Sequence, residues 1–384
     1  MATTADRITL PRGAAATQAV AEKETVPVKV WAGLGALILA FEAYVVIRWV
    51  TGPYFEPVDK GPTPVPDWMQ IGLRAMEVGF VALWLWCIWH FVVQPYRKER
   101  RFTTDGLLCM AFLVFAWFQD PLANYGGAVF TYNSELFNMG SWLNEVPGAV
   151  TPGKPGAQLS EPLWTAAIYP GVIFLVAMMG TWFMRKVKAW RPRISKLGLI
   201  ASAWAFLVLF DLVLEGFILM PLGAYTYAGA PDWSSINDAH YYKFTLIEAV
   251  GFGSVWTTWA ALRYFKDDKG NTLVERGIEK LHGGELQKAG LRFLALGAFI
   301  TVTMVACVNI PFYWQSTHMS EYPRDVQKRS YFTQGMCGEG TNTACFGEAL
   351  PNVRGNDAAR VGPDGTLQVP AGTKLPTGAV PFDR

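Results

Sequence analysis

Five carboxyl side chains, Glu77, Asp120, Asp211, Glu215 and Glu248, stand inside or at the ends of long apolar runs. Ionisable groups in such surroundings are costly to keep and are functional candidates by default. Asp211 and Glu215 are four residues apart, so on a helix they share one face. Several acids in an apolar pocket suit general acid–base work. Like charges and burial let one acid keep its proton, while another beside a cation such as Arg74 or Lys243 stays ionised. An acid and a base in one pocket catalyse dehydration, isomerisation or cyclisation with no cofactor and no metal. Around these five, Asn124, Tyr132, Asn133 and His240 are candidates to orient substrate hydroxyls, with Arg74 and Glu42 as further binding groups.

The elements that carry these residues read as membrane helices. Of 384 residues, 51% are hydrophobic and 17% charged, which overrides the two or three soluble domains that length alone suggests. Apolar segments long enough to cross a bilayer, roughly 20 residues each, are predicted at about 30–50, 70–93, 104–122, 163–184, 197–220, 241–264 and 290–312. Basic residues sort by side. The connections after the second, fourth and sixth segments carry clusters such as Arg97, Lys98, Arg100 and Arg101, whereas the alternate connections hold only Lys60, only Lys154, and then none between Met220 and His240. The expected architecture is therefore an all-α polytopic bundle of seven transmembrane helices, N-terminus inside and C-terminus outside. A disordered cytoplasmic tail is expected over 1–27, the membrane domain over 28–318 and a partly disordered extracytoplasmic tail over 319–384. The expected location is a bacterial cytoplasmic membrane.

With that topology every one of the intramembrane acids falls in the outer half. At 1.5 Å per residue, Glu77, Asp211 and Glu248 lie about 10 Å below the outer surface. If their faces converge, they form an acid-rich pocket opening outward or laterally above an apolar plug. The aromatic outer loops, such as 123–161 and 221–240, are either interfacial anchors or a lid. Cys87, Cys109 and Cys307 lie in apolar segments and read as packing residues, while Cys337 and Cys345 fall in the outer tail, where a disulfide is allowed.

This asymmetry argues against a channel or transporter, which needs polar groups at the midplane or on both sides. No lysine in the seventh segment is placed to hold retinal, and four scattered histidines make a poor metal or haem set. Two other classes stay open: a non-catalytic lipid-binding or assembly subunit of an envelope complex, and a carboxylate–His metal-dependent oxidoreductase. The expected partners are the membrane and a hydrophobic small molecule or lipid, with no nucleic acid.

The stretch FQDPLANYGGAVFTYNS from Phe118, the stretch FDLVLEG at Phe210–Gly216 and the spacing of the spans around them resemble the AveC-type spirocyclases of actinobacteria, over roughly residues 30–330. The resemblance implies spiroketal formation on a dihydroxy-ketone polyketide, sometimes with a dehydration. One hydroxyl adds to the ketone, the hemiketal hydroxyl leaves as water, and the second hydroxyl attacks the oxocarbenium ion while a base takes its proton. A carboxylate nearby stabilises the cation.

Overall fold

The computed structural model describes residues 12–149 and 159–341, with Cys345 and the short pairs 360–361 and 367–368; side chains are described from residue 27. The expected tail over 1–27 and the part of the expected tail beyond 341 therefore lie almost wholly outside the described side chains. The described chain is a helical bundle. Its long helices are α1 (Arg12–Thr51), α2 (Asp67–Glu99), α3 (Thr104–Asn124), α4 (Thr165–Trp190), α5 (Lys196–Leu222), α6 (Leu246–Tyr264) and α7 (Glu285–Ser316). Local sequence sets several starts. Thr103, Ser195 and Thr245 are N-caps whose hydroxyls accept the N–H of Gly106, Gly198 and Ile247 at 3.0, 3.0 and 3.3 Å.

Proline shapes the helix interiors. Pro95, Pro221 and Pro311 each lie two residues beyond a wide π-helical turn, at Ile88–Val93, Glu215–Leu219 and Val305–Asn309. A proline lacks the N–H that the carbonyl four residues back would accept and its ring crowds that carbonyl, so the preceding turn widens. A fourth π turn, Tyr169–Ile173, contains Pro170.

Six of the long helices are long and apolar enough to cross a membrane; α6 is not among them. The sequence expectation was seven. The reason lies in where α6 sits. It packs between α4, α5 and α7 with Trp256, Trp259 and Glu248 fully buried, so most of its surface meets protein and need not be greasy. The outward surface of the bundle carries Leu37, Ile71, Val78, Leu209 and Ile218, all more than half exposed, as lipid-facing helices do. By length and composition the chain is a multi-pass membrane protein.

At one end, the loop end, three connections fold over one another. Strand β1 (Thr131–Tyr132) pairs antiparallel with β2 (Tyr225–Thr226), placing Tyr132 opposite Tyr225. A second ribbon joins β3 (Ser235–Ile236) to β4 (Phe244–Thr245). Ser134 N–H bonds the Tyr331 carbonyl at 2.9 Å, tying the segment after α7 to the same cap. Cys337 and Cys345, the pair allowed by sequence, are joined in a disulfide. At the other end, the basic end, Arg263 makes a two-pronged ion pair with Asp105 at 2.8 Å, and Glu275 is held by Arg292 at 2.7 Å.

Candidate active site

Asp120 is the last residue before the 3₁₀ turn Pro121–Asn124 that finishes α3. Its two carboxyl oxygens accept phenol hydrogen bonds, from Tyr132 at 2.8 Å and from Tyr169 at 2.6 Å. Glu161 lies against it and accepts the Thr165 hydroxyl at 3.0 Å. Burial, and then the neighbouring Asp120 charge, push the Glu161 carboxyl well above the usual carboxylate range, so it keeps its proton and donates it toward Asp120. The two acids thus share a hydrogen bond, with two phenols completing the shell of Asp120.

A second group of acids is formed by Asp211 and Glu215 of α5 and Glu248 of α6. All three are buried, and one oxygen from each lies within 4.8 Å of the others. Asp211 and Glu248 receive no donor from the non-carboxyl groups among the described residues. Glu215 accepts a long hydrogen bond from Tyr227 at 3.4 Å and has Tyr225 beside it. A trio so spaced coheres through protons shared between oxygens or through a cation.

One member of each group, Asp120 and Glu215, lines a cavity of about 60 Å³. Tyr132, Tyr169, Tyr225 and Tyr227 line it with them, and Ile173, Phe252 and Met304 form its apolar wall. The β1–β2 ribbon makes the bridge. Its cross-strand pair sets Tyr132 against Asp120 and Tyr225 against Glu215, with the two rings 5.6 Å apart. Burial, reinforced by the adjacent carboxyls, raises the phenols of Tyr132, Tyr225 and Tyr227 well above their ordinary value, so all three remain hydrogen-bond donors.

The structure thus brings Asp120, Asp211, Glu215, Glu248 and Tyr132 together, and it leaves other sequence candidates elsewhere. Glu77 is at the loop-end rim of α2, paired with Arg74, and accepts the Phe137 N–H at 2.7 Å. Arg74 also reaches Glu135 at 2.7 Å, and Lys60 meets the same acid at 2.6 Å. Lys243, expected to keep an intramembrane acid ionised, pairs instead with Asp232 at 2.6 Å; burial lowers its pKa and Asp232 partly restores it. Asn124 clamps the Phe130 main chain through both its amide atoms, at 2.8 and 3.1 Å. Asn133 bonds the Gly223 carbonyl at 3.0 Å and the Glu135 N–H at 2.9 Å. Neither asparagine lines the cavity, because main-chain groups of the loop cap engage both side chains. His240 lies exposed on a turn, stacked on Tyr242 at 4.8 Å, so it neither orients substrate there nor completes a carboxylate–His metal set. Glu42 of α1 is buried beside Gln119, which does line the cavity.

Sequence reasoning missed Glu161, Tyr169, Tyr225 and Tyr227. The alternation Tyr225-Thr226-Tyr227 was a readable signal, since period two puts both rings on one side of a strand. Glu161 lies in a loop, where no helical spacing connects it to Asp120.

A family model described as "Spirocyclase AveC-like" matches residues 99–332, more than half of the chain. No curated protein and no solved structure matches the chain. The matched span holds every carboxyl and tyrosine that faces the cavity, whereas Glu42, Arg74 and Glu77 precede it. The chain belongs to the AveC-like spirocyclase family.

Proposed function

We propose that this protein is a membrane spirocyclase that closes a hydrophobic dihydroxy-ketone into a spiroketal by acid–base catalysis, with or without a dehydration. The observation that carries the reading is the pairing of two differently furnished carboxyl groups at one tyrosine-walled apolar cavity. The Asp211–Glu215–Glu248 trio is the proton store, and Glu215 delivers the proton to the departing hemiketal hydroxyl. Water leaves and an oxocarbenium ion forms. Asp120, held as an acceptor by Tyr132 and Tyr169, faces that cation and takes the proton of the second hydroxyl as its oxygen attacks. Ring closure releases one water, an accompanying dehydration a second, and no redox change occurs. In this reading α6 is a seventh crossing shielded by its neighbours, the Arg- and Lys-rich connections face the inside of a bacterial cytoplasmic membrane, and the loop end faces out.

The test is to incubate the purified protein in lipid nanodiscs with a synthetic dihydroxy-ketone and follow loss of one water by mass. Spiroketal of a single configuration is expected. Product no different from the uncatalysed mixture, across a series of chain lengths, overturns the reading. A second reading has one observation behind it: the carboxyl trio is spaced to hold a divalent cation. Elemental analysis finding one metal ion per chain would favour it.

A further inference from the structure

The acid cavity, at about 60 Å³, has room for a few waters, whereas small-molecule sites usually span about 300–1,000 Å³. A second space lies beside it. A groove of about 520 Å³ runs along the lipid-facing side of α2, bounded by Val78, Val81, Ala82 and Leu85 and by Phe137 of the loop cap. Val78 is 71% exposed and Phe137 61% exposed, so this groove opens to the bilayer. One residue, Trp164, belongs to both walls.

Trp164 is a partition one side chain thick. Its ring lies against Phe80 of α2 at 5.2 Å and against Tyr132 at 6.2 Å. Tyr132 is the residue that donates to Asp120. The Trp164 indole N–H is buried and meets no acceptor among the described residues, so no hydrogen bond fixes the ring in place.

We infer that the α2 groove is the subsite for the apolar chain of the substrate, and that Trp164 is the specificity-determining partition through which the reacting end reaches Asp120 from the bilayer. This rests on the reading of the acid cavity as the reaction centre. The occupant follows from the two spaces together: a molecule with a polar, reacting end of a few atoms and a long apolar remainder fits cavity plus groove and neither alone. Glu77 and Arg74 then have a place, at the polar end of the groove rather than in the chemistry.

Two measurements test it. The first is photo-crosslinking, in which a long-chain dihydroxy-ketone carrying a diazirine at its tail is irradiated with the Asp120→Asn protein in nanodiscs. Labelled peptides from the 78–85 stretch and around Phe137 are expected. Labelling confined to the separate groove between α6 and α7, near Val250 and Cys307, overturns the assignment, and so does labelling no different from bulk lipid exposure. The second is kinetic. Ala82→Trp fills the groove and should raise KM for a long-tailed ketone about tenfold, with kcat changed far less and with a smaller effect as the tail shortens. Val250→Trp, in the other groove, serves as the control and should do neither. Equal effects of the two variants, or no dependence on tail length, contradict the subsite. A dead subsite with a live reaction centre shows as crosslinking elsewhere while Asp120→Asn still abolishes turnover; a failed reaction centre shows as an active Asp120→Asn.

Discussion

Glu275 and Glu248 are both fully buried glutamates of one bundle, at opposite ends, and their surroundings differ completely. Glu275, at the basic end, takes Arg292 at 2.7 Å, the Thr272 hydroxyl at 2.7 Å and the Thr272 N–H at 3.1 Å. It fastens the 265–284 connection to α3 and α7. Glu248, at the loop end, has two carboxyl oxygens with no donor outside the acid trio among the described residues. Burying a carboxyl costs several kcal/mol in either place. At the basic end a cation and donors offset that cost locally. At the loop end only neighbouring acids are there to share a proton with it, which under the proposed function marks a site arranged for chemistry rather than for stability.

The contrast can be broken by stability measurements first. Glu275→Ala leaves Arg292 without its carboxylate and should destabilise the protein by about 3–5 kcal/mol, read as a lower melting temperature in nanodiscs. Glu248→Gln should do the opposite, because its amide keeps a donor beside Asp211 and removes one acid from the crowded trio; a gain of about 1 kcal/mol is expected. Equal losses in the two variants would remove the distinction between the ends. A smaller effect sharpens the role of the phenols on Asp120. Tyr132→Phe or Tyr169→Phe each removes one hydrogen bond to a charged acceptor, about 1.5–3 kcal/mol. Turnover should fall about 10- to 100-fold while the melting temperature moves little. The smallest effect concerns Glu161. Its pKa is raised in the folded protein, so its contribution to stability is full below the ordinary carboxylate range and is lost as pH rises through the raised value. Glu161→Gln mimics the protonated acid and should flatten that decline in a melting-temperature series against pH. An unchanged slope would mean that Glu161 is not the group that holds the proton.

Much of this arrangement was legible in the sequence, for reasons that differ by residue. The helices were readable because lipid-facing surface demands long apolar runs, and Asp211 with Glu215 because their spacing of four fixes a shared face. Three π turns carry a local mark in Pro95, Pro221 and Pro311, whereas the π turn at Phe112–Ala116 has no proline two residues beyond it. α6 falls short of the other six in composition, because a helix sheathed by protein need not obey the lipid rule. Asn124, Asn133 and His240 were misplaced for another reason. Polar residues in an aromatic loop look alike whether they bind a ligand, a carbonyl or water, and only the folded cap decides which. Glu161 and Tyr225 meet Asp120 and Glu215 through loop folding and a two-residue strand pairing, contacts that carry no periodic trace along the chain.

The central claim is that the loop-end acids act in the reaction and the basic-end acid does not. It is tested most directly by turnover of one dihydroxy-ketone by wild-type, Asp120→Asn, Glu215→Gln and Glu275→Gln proteins, each normalised to its folded fraction. Asp120→Asn and Glu215→Gln should lose about 10²- to 10⁴-fold, and Glu275→Gln should stay within a few-fold of wild type. Wild-type turnover by both loop-end variants, or an equal loss in Glu275→Gln, would contradict it.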